Sequence, residues 1–371
     1  MRKFENYELI ISFSVIKFND KVQLAYSKIK LEQILKANNM KRILITGASG
    51  FIGSFMVEQA ISKGYEVYAG IRETSNKQYL KDKRIKFIEL NFADTDDLKK
   101  TFSNLKKQNI LFNYIIHNAG ITKANKRQDY FTINYQYTKN IIEALIFTNL
   151  IPDKFVYMSS LAAHGPVQKG EKIMKLSDKP SPVTSYGKSK LQAENLITSK
   201  SNFPYIIIRP IGVYGPREKD FYIYFKLIKN HFQPLIGFNK TRVSFIYVKD
   251  LVKIIFTALE SDIKNKTYFV SDGIVSNSLT FGNIIKKNLN RKTIKIRIPI
   301  CLLKITAFFL EPIYGLFGKI PTANFEKINE LKSSWICDIK PLENDFNFKA
   351  DYNLKQGIYE TTKWYKKENW L

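Results

Sequence analysis

From Lys41 onward, short apolar runs alternate with longer stretches in which apolar residues recur every three or four positions. The runs "RILITG" (42–47), "YEVYAGI" (65–71), "IKFIEL" (85–90), "NYIIHNAG" (113–120), "KFVYMSS" (154–160) and "YIIIRP" (205–210) are too short for helices. Such runs read as strands buried on both faces of a parallel sheet. Residues 51–63, 95–106, 130–148 and about 184–199 carry the helical period between them. Alternation of this kind builds βαβ units, and the pattern predicts an α/β fold with a doubly wound parallel sheet of the Rossmann type.

After Pro210 the regularity weakens. "VSFIYVKDLVKIIFTALE" (243–260) predicts one further strand and helix, and "TTKWYKKENWL" (361–371) a terminal amphipathic helix. The pattern assigns 40–210 plus 240–272 to the sheet domain and 211–239 plus 273–371 to a smaller C-terminal substrate-binding lobe. Residues 1–39 do not continue the pattern. Either they add an amphipathic segment around 22–37 or they lie upstream of a translation start at Met40, the reading preferred here.

Composition narrows the partners. A chain of 371 residues with 44% hydrophobic positions has enough apolar material for a large core. Its formal charge of +26, from 59 Lys+Arg against 33 Asp+Glu, is spread evenly rather than concentrated in a nucleic-acid footprint. The expected partner is therefore a small-molecule substrate and not nucleic acid, with a homodimer left open. Cys301 and Cys337 form no CxxC pair, and His117, His164 and His231 are scattered, so neither a disulfide framework nor a metal site is expected. A reducing, cytoplasmic location follows. The apolar run at 9–15 is too short for a span and has Glu5 and Glu8 before it, unlike a signal peptide.

Candidate chemistry begins at "ILITGASGFIGSF" (43–55), which sets Gly47, Gly50 and Gly53 between a strand and a helix. Glycines allow a tight turn and close backbone approach, and the helix start offers N–H groups to a pyrophosphate, with Ser49, Phe51 and Ile52 in the same loop. At the end of the second strand Ile71 stands where an acid would hold a ribose, followed by Arg72, whose guanidinium fork suits a 2'-phosphate. NADP is the preferred cofactor on this reading; the alternative has Glu73 take the ribose of NAD. Tyr186 and Lys190 fall on one helix face, where an ammonium favours a tyrosinate able to act as acid or base.

Taken in order, "TGASGFIG" (46–53), "HNAG" (117–120), "INYQYTKNIIEA" (133–144), "YMSSLAAHGP" (157–166), "YGKSK" (186–190) and "RPIGVYGPRE" (209–218) resemble the extended branch of the short-chain dehydrogenase/reductase superfamily, the NAD-dependent epimerase/dehydratase family. The resemblance covers roughly residues 40–270. It implies Ser160, rather than Ser159, as the catalytic hydroxyl beside Tyr186, and Lys190 as holder of the nicotinamide ribose. Asn91 and Phe92 are implied at the adenine, Ala119, Gly120 and Pro210 along the cofactor cleft, and Asn134 as either a helix-start or a proton-relay residue. Leu161 and Ala162 replace the acidic pair of the sugar-nucleotide 4,6-dehydratases, which argues against elimination. His164 is expected to pack or touch substrate, Tyr214 to pack, and Arg217 to meet a substrate anion.

The segment 286–319 joins six basic residues to an apolar stretch interrupted by Lys304, Glu311 and Pro312. It reads as an ordinary lobe helix, a cover for a lipid-like substrate, or a peripheral membrane contact through 286–318. The expected activity is an NAD(P)-dependent oxidoreductase working at a keto or hydroxyl carbon, with a hydrophobic substrate favoured. A nucleotide-sugar epimerase or sugar reductase is the alternative, and a non-catalytic dinucleotide sensor the third reading.

Overall fold

Seven parallel strands form the centre of the protein in a computed structural model that describes residues 40–168, 171–237, 241–321 and 324–371. Both readings of segment 1–39, an amphipathic addition or an upstream start, lie outside the described residues. The strands are β1 (Arg42–Thr46), β2 (Glu66–Ile71), β3 (Lys86–Glu89), β4 (Tyr114–His117), β5 (Lys154–Met158), β6 (Tyr205–Pro210) and, later in the chain, β10 (Lys266–Val270). Their order across the sheet is β3-β2-β1-β4-β5-β6-β10. The order reverses between β1 and β4, which opens a crevice beyond the carboxyl ends of those strands at Thr46 and His117.

Each face of the sheet carries its own core. One is closed by Met56, Val57 and Ala60 of α1 (Phe51–Ser62) and by the apolar face of α6 (Val248–Glu260). The other is closed by Leu98 and Phe102 of α2 (Thr95–Lys107), Ile141 and Leu145 of α3 (Tyr137–Phe147), and Ala193 and Ile197 of α4 (Ser185–Thr198). Strands covered on both sides need apolar residues at every position, which is why β1, β4, β5 and β6 read as unbroken runs. Helix boundaries follow local chemistry: Asp94 accepts from the backbone N–H groups of Asp96 and Asp97 at the start of α2, and Thr184 accepts from Gly187 N at 3.0 Å at the start of α4.

One expectation is corrected. The strand in "VSFIY" does not join the main sheet: β9 (Phe245–Tyr247) pairs with β7 (Gly212–Tyr214) in a separate two-stranded ribbon. The seventh strand is instead β10, whose "KTYFV" pairs Lys266 to Val270 with Ile206 to Pro210. Its polar first half, at the edge of the sheet, hid it among loop residues.

The smaller layer contains α5 (Asp220–Lys229), a second ribbon of β8 (Phe232–Ile236) and β11 (Ile294–Ile298), α7 (Ser278–Asn288), α8 (Ile300–Leu316), α9 (Phe325–Leu331), α10 (Lys340–Phe346) and α11 (Leu354–Lys367). Its aromatic centre, with Tyr214 and Phe245 packed on Phe281 and with Phe225 on Tyr365, is continuous with the α1/α6 core. Tyr214 packs there, fully buried, as expected.

Candidate active site

The turn after β1 is shaped by backbone contacts that exclude side chains. Gly47 has φ +63°, and a Cβ on Gly53 would stand 2.1 Å from the Gly47 carbonyl oxygen. Gly50 N donates to that same carbonyl at 3.1 Å. Gly50 occupies the N-cap of α1 and has no side chain to satisfy the first-turn amides. A loop that places backbone there and leaves those donors uncapped fits a dinucleotide pyrophosphate.

A buried relay joins the ends of β1 and β4 beside this loop. Thr46 Oγ1 accepts from Asn118 N at 3.2 Å and Ala119 N at 3.1 Å, and lies 2.9 Å from His117 Nδ1. His117 Nε2 is 3.0 Å from Thr138 Oγ1, whose proton is already given to the Asn134 carbonyl at 2.8 Å. Burial, reinforced by the Lys190 ammonium, pushes His117 down to about 3. The imidazole is thus neutral, and the bonds assign its tautomer: Nε2–H donates to Thr138 while Nδ1 accepts from the Thr46 hydroxyl. The strand-end backbone at Asn118 and Ala119 is held in place by this chain.

Tyr186 sits in the first turn of α4, and that turn is pressed against the segment following Ser160. A Cβ on Gly187 would lie 2.2 Å from the Ala162 carbonyl oxygen. Ser160 caps the short turn Leu161–Ala163 by accepting from Ala162 N at 3.1 Å, and its hydroxyl lies near enough to the Tyr186 phenol to influence its ionisation. Burial pushes Tyr186 up to about 12, with Glu330 and Tyr130 adding to the rise and the Ser160 hydroxyl opposing it. Lys190 is buried one turn on, donates from Nζ to the Met158 carbonyl at 2.7 Å and lies 4.9 Å over the Tyr157 ring. Burial lowers its ammonium to about 8 against an opposing pull from Glu194. In the protein's own field, then, desolvation outweighs the expected tyrosinate, and the phenol stays protonated at neutral pH.

Ser159, the neighbouring hydroxyl, is engaged elsewhere: it donates to Glu194, whose carboxylate is paired with Arg209, and Arg209 Nη1 is 3.1 Å from His164 Nδ1. His164 is consequently a packing residue, buried and edge-on to Phe269. Asn134 is buried as well. Its amide donates to Ile121 O at 3.0 Å and Ser189 Oγ at 3.1 Å and accepts from Ile121 N at 2.8 Å, so it clamps the strand-end turn to α4. Gly120 lies in that clamp, since a Cβ there would be 2.8 Å from Asn134 Oδ1 and 3.2 Å from Lys190 Nζ. Pro210, at the buried end of β6, is the last residue of its pairing with β10.

Other expected residues lie around this centre. Arg72 is exposed on the loop beyond β2, its N–H bonded to Ser75 Oγ at 3.0 Å. Asn91 is exposed and turns its Oδ1 back to Ala93 N at 3.3 Å, while Phe92 is buried with its ring 5.8 Å from His117. Arg217 is not free to meet a substrate anion. It is held by Ser54 at 2.9 Å and Glu58 at 2.6 Å and stacked between Phe55 and Tyr79. Among the described residues there is no cluster of three or more His, Cys, Asp or Glu able to hold a metal. Missed by sequence reasoning were Thr46 and Thr138, and above all Glu326, whose carboxylate accepts from Ser185 N next to Tyr186.

Comparison with known proteins agrees with this architecture. The model of the NAD dependent epimerase/dehydratase family matches residues 43–271. The UDP-glucose 4-epimerase of Vibrio cholerae is 24% identical over 344 residues, covering 89% of this chain and 97% of that protein. The 3 beta-hydroxysteroid dehydrogenase/Delta 5-->4-isomerase of Vaccinia virus (strain Ankara) is 25% identical over 347 residues, covering 86% and 97%. The crystal structure of UDP-glucuronic acid 4-epimerase from Bacillus cereus in complex with NAD superposes with a TM-score of 0.69 at 22% identity, covering 88% of this chain and 99% of that one.

Proposed function

The chain belongs to the NAD dependent epimerase/dehydratase family, and we propose that it transfers a hydride between NADP and a keto or hydroxyl carbon of a hydrophobic, lipid-like substrate. The observation that carries this reading is the meeting of Ser160 and Tyr186 beyond the carboxyl end of β5, where the first turn of α4 is pressed against the Ser160 turn and Lys190 is buried one helix turn on. A bound nicotinamide supplies or accepts the hydride. Tyr186, held protonated by burial, gives its phenolic proton to the substrate oxygen during reduction and takes it back during oxidation. Ser160 positions that oxygen and donates to it as negative charge develops. Lys190 places a positive charge behind the phenol that steadies the tyrosinate left by proton transfer. Leu161 and Ala162 provide no acid–base pair for elimination, which favours simple hydride transfer. Arg72 supports NADP over NAD through the 2'-phosphate.

A second reading, nucleotide-sugar 4-epimerisation, is favoured by the extent of the match to the Vibrio cholerae enzyme. Purified protein offered NADPH with apolar ketones, and in parallel UDP-hexoses, separates the two. The proposal expects stoichiometric NADPH consumption with apolar ketones. Turnover should fall about 10²–10⁴-fold in Tyr186→Phe while NADPH affinity is retained. Interconversion of UDP-hexoses without net cofactor consumption would establish the sugar reading instead.

A further inference from the structure

We infer that α8 and β11 form a docking face for an anionic lipid bilayer, beside the mouth of the active site. Helix α8 reads "ICLLKITAFFLEPIYGL", apolar nearly all round, yet Ala307 is its one buried residue. It rests on the protein through Leu303, Ala307, Leu310 and Glu311 and turns the stripe Leu302, Ile305, Phe309, Ile313 and Leu316 outward. Phe308, Phe309 and Leu316 are 64%, 62% and 86% exposed. An apolar helix is ordinarily buried or membrane-spanning. This one is not buried, and no helix among the described residues is long and apolar enough to cross a membrane. Strand β11 continues the patch, with Ile294 66% and Ile296 41% exposed and with the basic Lys295 and Arg297 alternating between the isoleucines.

Charge selects the occupant. From Lys286 through Leu310 the chain has seven Lys and Arg and no Asp or Glu. Lys287, Arg291, Lys292 and Lys295, all exposed, precede the apolar stripe along the chain, and Lys304, also exposed, lies within its helix. A second copy of the chain would pair this patch with itself and set like charges against each other. An anionic leaflet takes the apolar stripe into its acyl boundary and the basic fringe onto its headgroups.

The face is tied to the catalytic helix. Arg127 bridges Glu311 of α8 at 3.6 Å and Glu326 of α9 at 3.4 Å, and Glu326 holds Ser185, the residue before Tyr186. A bilayer docked on α8 therefore lies next to the entrance of the site, where an apolar substrate leaves the lipid. The docking itself does not depend on which carbonyl is reduced.

Cys301, exposed at the start of α8, is the local reporter, because the other cysteine, Cys337, is buried. The full chain, labelled at Cys301 with a polarity-sensitive fluorophore, is mixed with vesicles of phosphatidylglycerol and phosphatidylcholine or of phosphatidylcholine alone. The expected result is co-sedimentation and a blue shift with the anionic vesicles, weakened by added salt. Phe308→Ser/Phe309→Ser should abolish the shift, and Lys292→Glu/Lys295→Glu should lower partitioning by about fivefold or more per residue. The inference is overturned by an absent shift on anionic vesicles or by co-sedimentation without a Cys301 response, which would place the contact elsewhere in the chain. It is equally overturned by a shift that needs no lipid and grows with protein concentration, the mark of self-association.

Discussion

Glu326 caps the helix that carries Tyr186 from 141 residues away, accepting from Ser185 N at 2.8 Å and from Ser185 Oγ at 2.7 Å. The first turn of a helix has unsatisfied donors and a positive end, and a carboxylate there satisfies both. Glu326→Ala should cost about 1 kcal/mol of stability and lower kcat while leaving cofactor affinity unchanged, with Glu326→Gln recovering part of the loss. Steady-state kinetics beside a cofactor titration measures the split.

Gly187 is the point at which α4 touches the turn after Ser160. With only 2.2 Å available between a new Cβ and the Ala162 carbonyl, Gly187→Ala must push Tyr186 away from Ser160. Activity should fall at least tenfold and the melting temperature should drop. Gly315→Ala, in α8, meets nothing within 4 Å and removes a flexible helix residue, so it should leave activity unchanged and stabilise by up to about 1 kcal/mol.

His117 gives the protein an acid-sensitive joint. Its ordinary value of 6.5 is depressed to about 3 by burial, so between those limits the unfolded chain binds a proton that the folded protein excludes. Stability therefore rises with pH across that window and falls on acidification from about 6.5 toward about 3. His164, lowered to about 4, adds to the same slope. Urea midpoints from pH 4 to 7 should climb in the native protein. In His117→Asn they should be lower at pH 7, with a flatter dependence over the window.

For Arg72, the expected outcome is a change of cofactor preference without a change of chemistry. Charge-assisted bonds to a phosphate are worth about 1.5–3 kcal/mol, so Arg72→Ala should weaken NADPH binding about 10- to 100-fold and leave NADH binding unaltered. Equal affinity for both cofactors in the native protein, with no effect of the substitution, would transfer the ribose to Glu73 and NAD.

β1, β2, β4, β5 and β6 are legible in the sequence because burial on both faces demands apolar runs, as in "YIIIRP", whereas β3, at the other edge, buries only Ile88. The glycines of the first turn and the Tyr186/Lys190 spacing are legible for a similar reason, since each is a local constraint. What stays hidden is long-range. Nothing near Glu194 announces Arg209 and Ser159 as its partners, and nothing near Glu326 points to Ser185. β10 is hard to see in the sequence because an edge strand tolerates the polar half that a central one cannot. Arg217 stood in a motif that suggested an anion, while stacking on Phe55 and Tyr79 gives it a structural task that depends on tertiary geometry.

The pairing of β6 with β10 also sets a schedule for synthesis. When the ribosome has completed Pro210, the isoleucine-rich strand Ile206–Ile208 has β5 on one side and an open edge on the other. Its partner begins at Lys266, so at about 5–20 residues per second that edge waits roughly 3–12 s for cover. An unpaired apolar strand edge is a template for intermolecular pairing, and translation stalled between Pro210 and Lys266 would leave a nascent chain dependent on chaperones.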